Sequence, residues 1–307
     1  MRTVFFGTPA WAVPSLDALI ASDIEVAAVV TNPDRPAGRG MEPRPSPVKQ
    51  RALTAGIEVL QPERARTDEF HEQLRKLAPD VCSVVAYGKI LPVSLLAVPP
   101  LGFINLHFSL LPAYRGAAPV QRAIMEGELI SGVSVIVLTE GMDEGPVLAA
   151  ATEEVKRSDT AGTLGERLAR TGAPLLVDSL AAFASGDLAP VPQRHDDATY
   201  APKITTEVAR IDWSDRAAVI RNKVRGLNPA PGAWTTLRGK RVKLLFAKET
   251  DFEGLEAGAI AEREGALIAG TGEGALELTL LQLQGKRAMS GGEAARGLRL
   301  APGEGFE

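Results

Sequence analysis

Through the first two-thirds of the chain, short apolar runs alternate with amphipathic stretches of helical period, and this alternation most narrows the folds open to it. Thr3 to Phe6 reads as a first strand, and Gly7-Thr8-Pro9 turns into a helical stretch from Ala10 to Ile20. Glu25 to Val30, Ile57 to Leu60, Val81 to Val85 and Phe103 to Leu106 read as further strands. Ser46 as N-cap with Pro47 at the first helical position opens a helix through Leu53, and Asp68 to Leu77 forms another. Apolar strands separated by helices predict an α/β fold with a doubly wound, mostly parallel sheet covered on both faces. A long helix from Thr160 to about Ala184 closes this domain. No G-x-G-x-x-G follows the first strand, so Gly7-Thr8-Pro9 carries no dinucleotide fingerprint.

The texture changes between Ser185 and Thr205, where Gly186, Pro190, Pro192 and Pro202 punctuate a polar segment. This predicts a first domain over residues 1–189, a linker or strap over 190–206 and a second domain over 207–307. The second begins with a helix from about Arg216 to Val224. Short β-like segments follow at Trp234 to Leu237, Val242 to Phe246, Ala257 to Ile260, Ala266 to Ala269 and Leu276 to Leu283, a pattern expected of a small barrel. The segment beyond Leu300 reads as a frayed tail.

Composition is that of a globular protein, with 45% hydrophobic and 23% charged residues in 307, enough for two cores. The single Cys82 has no internal disulfide partner and sits in an apolar run, as a small core residue does. Neither a signal-peptide pattern nor an apolar run of membrane-spanning length is present, so a cytoplasmic protein is expected, with a monomer as the default. No Cys/His cluster has metal-ligand spacing, and no metal is expected.

The net charge of −4 argues against a polyanionic partner only when averaged over the whole chain. Arg216, Arg221, Lys223, Arg225, Arg238, Lys240, Arg241, Lys243 and Lys248 follow one another with no acidic residue between. Such a stretch attracts and orients nucleic acid if its side chains share a face; otherwise it is an ordinary solvated surface.

Chemistry concentrates at the end of the strand begun by Phe103. Asn105 and His107, one of three histidines, stand two residues apart and so share a face. Strand ends are where open α/β sheets place ligand chemistry, and a carboxamide can donate to a developing oxyanion while an imidazole carries a proton near neutral pH. His195, in the polar strap, reads as exposed and structural.

The string from Asn105 through Ser109-Leu110-Leu111-Pro112 to Arg115-Gly116 and Pro119 resembles the signature of the folate-dependent formyltransferases. The resemblance implies a Rossmann-like catalytic domain that moves a formyl group from 10-formyltetrahydrofolate to an amine. It implies an Asn–His–Asp trio, whose third member maps onto Asp143 in the loop after Val133 to Leu138. Val85 to Pro92 resembles the family's pterin-binding loop, which implies folate contacts from Tyr87, Gly88, Ile90 and Leu91, with Ser109, Leu110, Leu111 and Pro112 opposite. Phe108 departs from the small residue often found there.

The long loop Thr31 to Pro43 resembles the insertion by which tRNA-acting members wedge into the acceptor end of initiator methionyl-tRNA. On that resemblance Arg35 and Arg39 contact tRNA, although Met41 and Glu42 stand where lysine is frequent. The second domain is then an OB-like tRNA-binding domain, with Arg221, Lys223, Arg225, Arg238, Lys240, Arg241 and Lys243 as candidate contacts. Two other readings stay open: a folate-dependent enzyme acting on a small amine, such as an amino sugar nucleotide or glycinamide ribonucleotide, and a non-catalytic RNA-binding protein on a degenerate transferase scaffold.

Overall fold

In the computed structural model, residues 1–37, 42–301 and 303–307 are described, and they divide into two units. The first comprises Met1–Pro119, Ile130–Glu154 and Gly165–Ala201; the second comprises Val120–Leu129, Val155–Leu164 and Pro202–Glu307.

The first unit is built on seven strands: β1 (Arg2–Gly7), β2 (Glu25–Val30), β5 (Val59–Leu60), β6 (Val81–Val85), β7 (Phe103–His107), β8 (Ile130–Val137) and β9 (Val147–Glu154). They lie in the order β5-β2-β1-β6-β7-β8-β9. The strands from β5 to β7 are parallel, and β8 and β9 run antiparallel to their neighbours. Between them come α1 (Val13–Ile20), α2 (Pro47–Thr54), α3 (Asp68–Leu77) and α4 (Val93–Leu96); α5 (Pro119–Met125), which follows β7, belongs from Val120 to the second unit. The chain runs outward from β1 to β2 and β5, then crosses to β6 on the other side. The gap beyond the carboxyl ends of β1 and β6 is therefore a topological switch point, where doubly wound sheets bind ligands.

Local sequence explains these elements. Ser46 accepts a hydrogen bond from the Lys49 amide at 3.1 Å, capping α2 as its sequence demands. Thr67 caps α3 through the Phe70 amide, with Asp68 and Glu69 in its positive first turn and Arg75 and Lys76 in its last. Phe6, Phe70, Tyr87 and Phe103 meet edge to face in the core, the arrangement ring quadrupoles favour. Cys82 is fully buried there, and burial pushes its thiol well above the ordinary range, which leaves it protonated and inert.

Several expectations need correction. The segment after β2 is not all loop: β3 (Arg35–Ala37) and β4 (Glu42–Arg44) pair as an antiparallel ribbon. Its base is fixed by Lys49, which bonds Asp34 at 2.6 Å and Gln61 at 2.7 Å. Lys49 and Gln61 Nε2, which both donate to it, hold the Asp34 carboxyl below the usual carboxylate range. Arg39 lies outside the described residues. Strand β9 was not foreseen, because its apolar run from Val147 to Ala151 is mostly alanine, which carries little strand preference.

After α6 (Ala161–Ser185), which begins in the second unit, come α7 (Ala217–Gly226), β10 (Ala233–Leu237), β11 (Lys240–Thr250), β12 (Ile260–Arg263), β13 (Ala266–Gly270), β14 (Ala275–Leu283), β15 (Ala288–Ser290) and α8 (Gly291–Leu298). The second unit's sheet is antiparallel, ordered β10-β11-β14-β13-β12, with β15 on β14. Helix α8 escaped the sequence pattern because it contains three glycines; a capping box between Ser290 and Glu293 starts it nevertheless. The terminal segment is not frayed. Phe306 is buried and stacks on Trp213 at 5.0 Å between centroids, and its amide bonds the Gly258 carbonyl. Burying such a ring contributes about 1.5–3 kcal/mol, enough to hold a short tail down. Among the described residues no helix is long and apolar enough to cross a membrane.

Candidate active site

The polar end of β7 emerges beside the switch point. Val84 of β6 pairs with Asn105, and Ser134 of β8 pairs with His107, so both side chains leave a strand clamped on either side. Asn105 and His107 are buried, at 9% and 6% exposure. Among the described residues the Asn105 carboxamide has no hydrogen-bond partner, which leaves its N–H groups available to a ligand.

His107 is held from both sides. Its Nε2 lies 2.9 Å from the Tyr114 carbonyl, which can only accept, so Nε2 carries a proton. Its Nδ1 lies 3.6 Å from Asp143 Oδ2, too far for a direct bond, with the carboxylate facing the ring. Among the described residues Nδ1 therefore has no direct hydrogen-bond partner and is open to a ligand. The same Asp143 oxygen accepts the Gly116 amide at 2.9 Å, which aims the carboxylate.

Close backbone approaches make this geometry possible. Gly116 has φ +116°, and a Cβ there would stand 2.9 Å from the Ala201 carbonyl oxygen. Gly145 packs so tightly on β8 that a Cβ would fall 1.7 Å from the Val137 carbonyl oxygen. Asp143 itself takes a left-handed φ of +54°, a conformation that aspartate tolerates better than most L residues.

The structure thus brings His107 and Asp143 together and places Asn105 two residues from His107 on the same strand, on its same face. It arranges the expected folate residues unequally. Gly88 (φ +77°) turns the loop after β6, Ile90 is 85% exposed and Leu91 is half-buried, so apolar side chains stand at this edge ready to cover a ring. The Tyr87 ring is 2% exposed and packs 5.4 Å from Phe6, inside the core, so only its backbone is left for the folate contact that the resemblance implies. Burial pushes its phenol up to about 12, so it neither binds at the surface nor relays a proton near neutral pH. Its carbonyl accepts from Asn32 Nδ2 at 2.8 Å, tying the loops after β2 and β6 together. Ser109 is buried with its hydroxyl donated to Ala113 O, while Leu110, Leu111 and Pro112 are half-buried around a cis Leu111–Pro112 bond.

The basic stretch in the second unit separates by role. Arg225 is 9% exposed and donates to the Asp159 and Lys156 carbonyls at 2.8 Å each, so it is a structural arginine and not the surface contact expected. Arg221 pairs with Glu249, Arg238 with Glu304, and Lys223 is turned to the Arg210 carbonyl. Lys240 and Arg241 are exposed and Lys243 is partly so, all on β11. Trp234 of β10 pairs across to Lys243, which pairs to Gln282 of β14. Arg241 lies 4.0 Å over the Trp234 ring. The sequence reading missed this aromatic; a tryptophan on a strand opposite a basic one was the available signal. Arg35, in the first unit, is exposed at the start of β3. Among the described residues no cluster of His, Cys, Asp and Glu could hold a metal ion.

Comparison with known proteins places this arrangement. The formyl transferase family model matches residues 1–180, and the model for the formyl transferase C-terminal domain matches residues 203–299. The chain is 52% identical over 306 residues to the methionyl-tRNA formyltransferase of Streptomyces griseus, covering 99% of both chains. It is 48% identical over 307 residues to that of Thermobifida fusca, covering 100% of this chain and 99% of the relative. Among solved structures, HypX from Aquifex aeolicus in complex with tetrahydrofolic acid aligns with TM-score 0.64 and 21% identity, over 96% of this chain and 46% of HypX. An N-formyltransferase from Helicobacter canadensis with folinic acid and dTDP-3-aminofucose aligns with TM-score 0.67 and 18% identity, over 91% and 98%. At such identities these two likenesses speak for the fold alone. Full-length similarity near one residue in two, over both halves, settles kinship: the chain belongs to the methionyl-tRNA formyltransferase family.

Proposed function

We propose that this protein transfers the formyl group of 10-formyltetrahydrofolate to the free amino group of methionyl-initiator tRNA, with Asn105, His107 and Asp143 as the transfer centre. The observation that supports it most is the unpartnered Asn105 carboxamide beside a histidine whose Nδ1 has no direct acceptor. Attack of an amine on a formyl carbon leaves negative charge on the formyl oxygen. Asn105 Nδ2 and His107 Nδ1 can both donate to that oxygen, in a buried site where such bonds are strong. In this role His107 acts as an imidazolium facing the Asp143 carboxylate, and that carboxylate can accept the proton that the attacking nitrogen must lose before N10 receives one. Ile90 and Leu91 cover the pterin, and Leu110 to Pro112 bound it from the far side. No covalent enzyme intermediate is needed, since the amine is itself the nucleophile.

For the tRNA, the reading rests on the exposed face of β11, where Arg241 and Lys243 flank Trp234. Arg35 and Arg39 would serve the acceptor end. Replacing Arg241 and Lys243 together by Gln should raise KM for tRNA. It should also flatten the dependence of log KM on log salt, by about one unit for each phosphate that is no longer neutralised. Steady-state transfer over a salt series measures both; an unchanged KM and slope would remove this face from the tRNA site.

A further inference from the structure

We infer that Gln193, from the segment expected to be a linker, is the positioning residue that sets Asp143 against His107; the inference rests on the catalytic reading of that pair. The segment is stitched into the first unit. Val191 and Val147 exchange both backbone hydrogen bonds at 2.8 Å, which carries residues 191–193 alongside the loop that bears Asp143. Gln193 is 8% exposed, and all of its side-chain bonding is directed inward. Its Nε2 donates to the Asp143 and Gly145 carbonyls, each at 2.7 Å. Its Oε1 accepts from Arg115 Nε at 3.1 Å and Nη2 at 2.8 Å.

This bonding spans the two segments that grip His107. Arg115 is 1% exposed and follows Tyr114, whose carbonyl holds His107 Nε2. The same strap fixes that segment again: the Tyr114 amide donates to Thr199 Oγ1 at 2.8 Å, and the Ala201 amide donates to the Arg115 carbonyl at 2.7 Å. One carboxamide therefore couples Arg115 on one side to the left-handed Asp143 on the other, and that link, beside a 3.6 Å ion pair from Arg115 to Glu144 of the same loop, sets the His107–Asp143 separation. Only an amide satisfies all four bonds, because the arginine needs an acceptor while the two carbonyls need a donor.

Gln193→Glu isolates the second half of the link. Its carboxylate still accepts from Arg115 but cannot donate to the two carbonyls, which it would instead repel. Gln193→Met, of similar length, removes both halves and carries the test if the first variant does not fold. With Asp143→Asn measured in parallel, either Gln193 variant should lower kcat by about 10- to 100-fold, as misplacement of a catalytic group does. KM for folate and for tRNA should stay within about twofold, since neither substrate is taken to touch Gln193. Hydrogen exchange of the Gly116 amide, bonded to Asp143 in the native protein, should quicken in the folded variant. Unchanged kcat in the Gln193 variants beside a slow Asp143→Asn would overturn this inference alone. Unchanged kcat in Asp143→Asn would overturn the catalytic reading and the inference with it.

Discussion

Asn105→Ala should lower the single-turnover rate of formyl transfer by about 100- to 1,000-fold, which is the usual cost of losing one preorganised oxyanion donor. His107→Ala should cost at least as much, about 100- to 10,000-fold, because it removes a donor and a proton carrier together. Neither change should weaken folate binding by more than a small factor. Asn105 has no partner to orphan among the described residues, and the apolar cover comes from Ile90 and Leu91. Quench-flow turnover beside equilibrium folate titration separates the two effects. Near-normal turnover in Asn105→Ala would remove it from the transfer centre, and a large loss of folate affinity would make it a binding residue.

The second large effect is expected from Gly145→Ala. A methyl group there would meet a main-chain carbonyl of β8 at 1.7 Å, and a backbone oxygen within a paired strand cannot rotate aside. Overpacking of this kind costs about 1–3 kcal/mol, and this site should lie at the upper end. Relief can come only by moving the loop, which carries Asp143 and accepts Gln193 at the Gly145 carbonyl. Stability and turnover should therefore fall together. Urea unfolding gives the first and the transfer assay the second. A variant of native stability and rate would show that the loop has slack which this packing denies.

Much of the first unit was legible because its central strands β1, β6 and β7 are buried on both faces and read as largely apolar runs. The trio was legible for a related reason: polar residues at the end of an apolar strand mark the site-bearing edge. What escaped depends on side-chain direction or distant partners. Tyr87 turns inward between two left-handed residues, Ala86 at φ +49° and Gly88, a swing that no periodicity announces. Arg225 was misread because counting charges along α7 does not tell which face packs; Ile220 and Val224 point inward and draw Arg225 after them. Gln193 lies fifty residues from Asp143 in a proline-rich stretch with the composition of a linker, and only the fold brings the two together.

The account turns on the identity of the acceptor. The decisive measurement gives the wild-type protein 10-formyltetrahydrofolate with, in separate reactions, methionyl-initiator tRNA, an amino sugar nucleotide and glycinamide ribonucleotide, and follows each product by mass spectrometry. Rapid appearance of N-formylmethionine on the tRNA, with the small amines at background, is the predicted result. Formylation of a small amine with the tRNA untouched would contradict it.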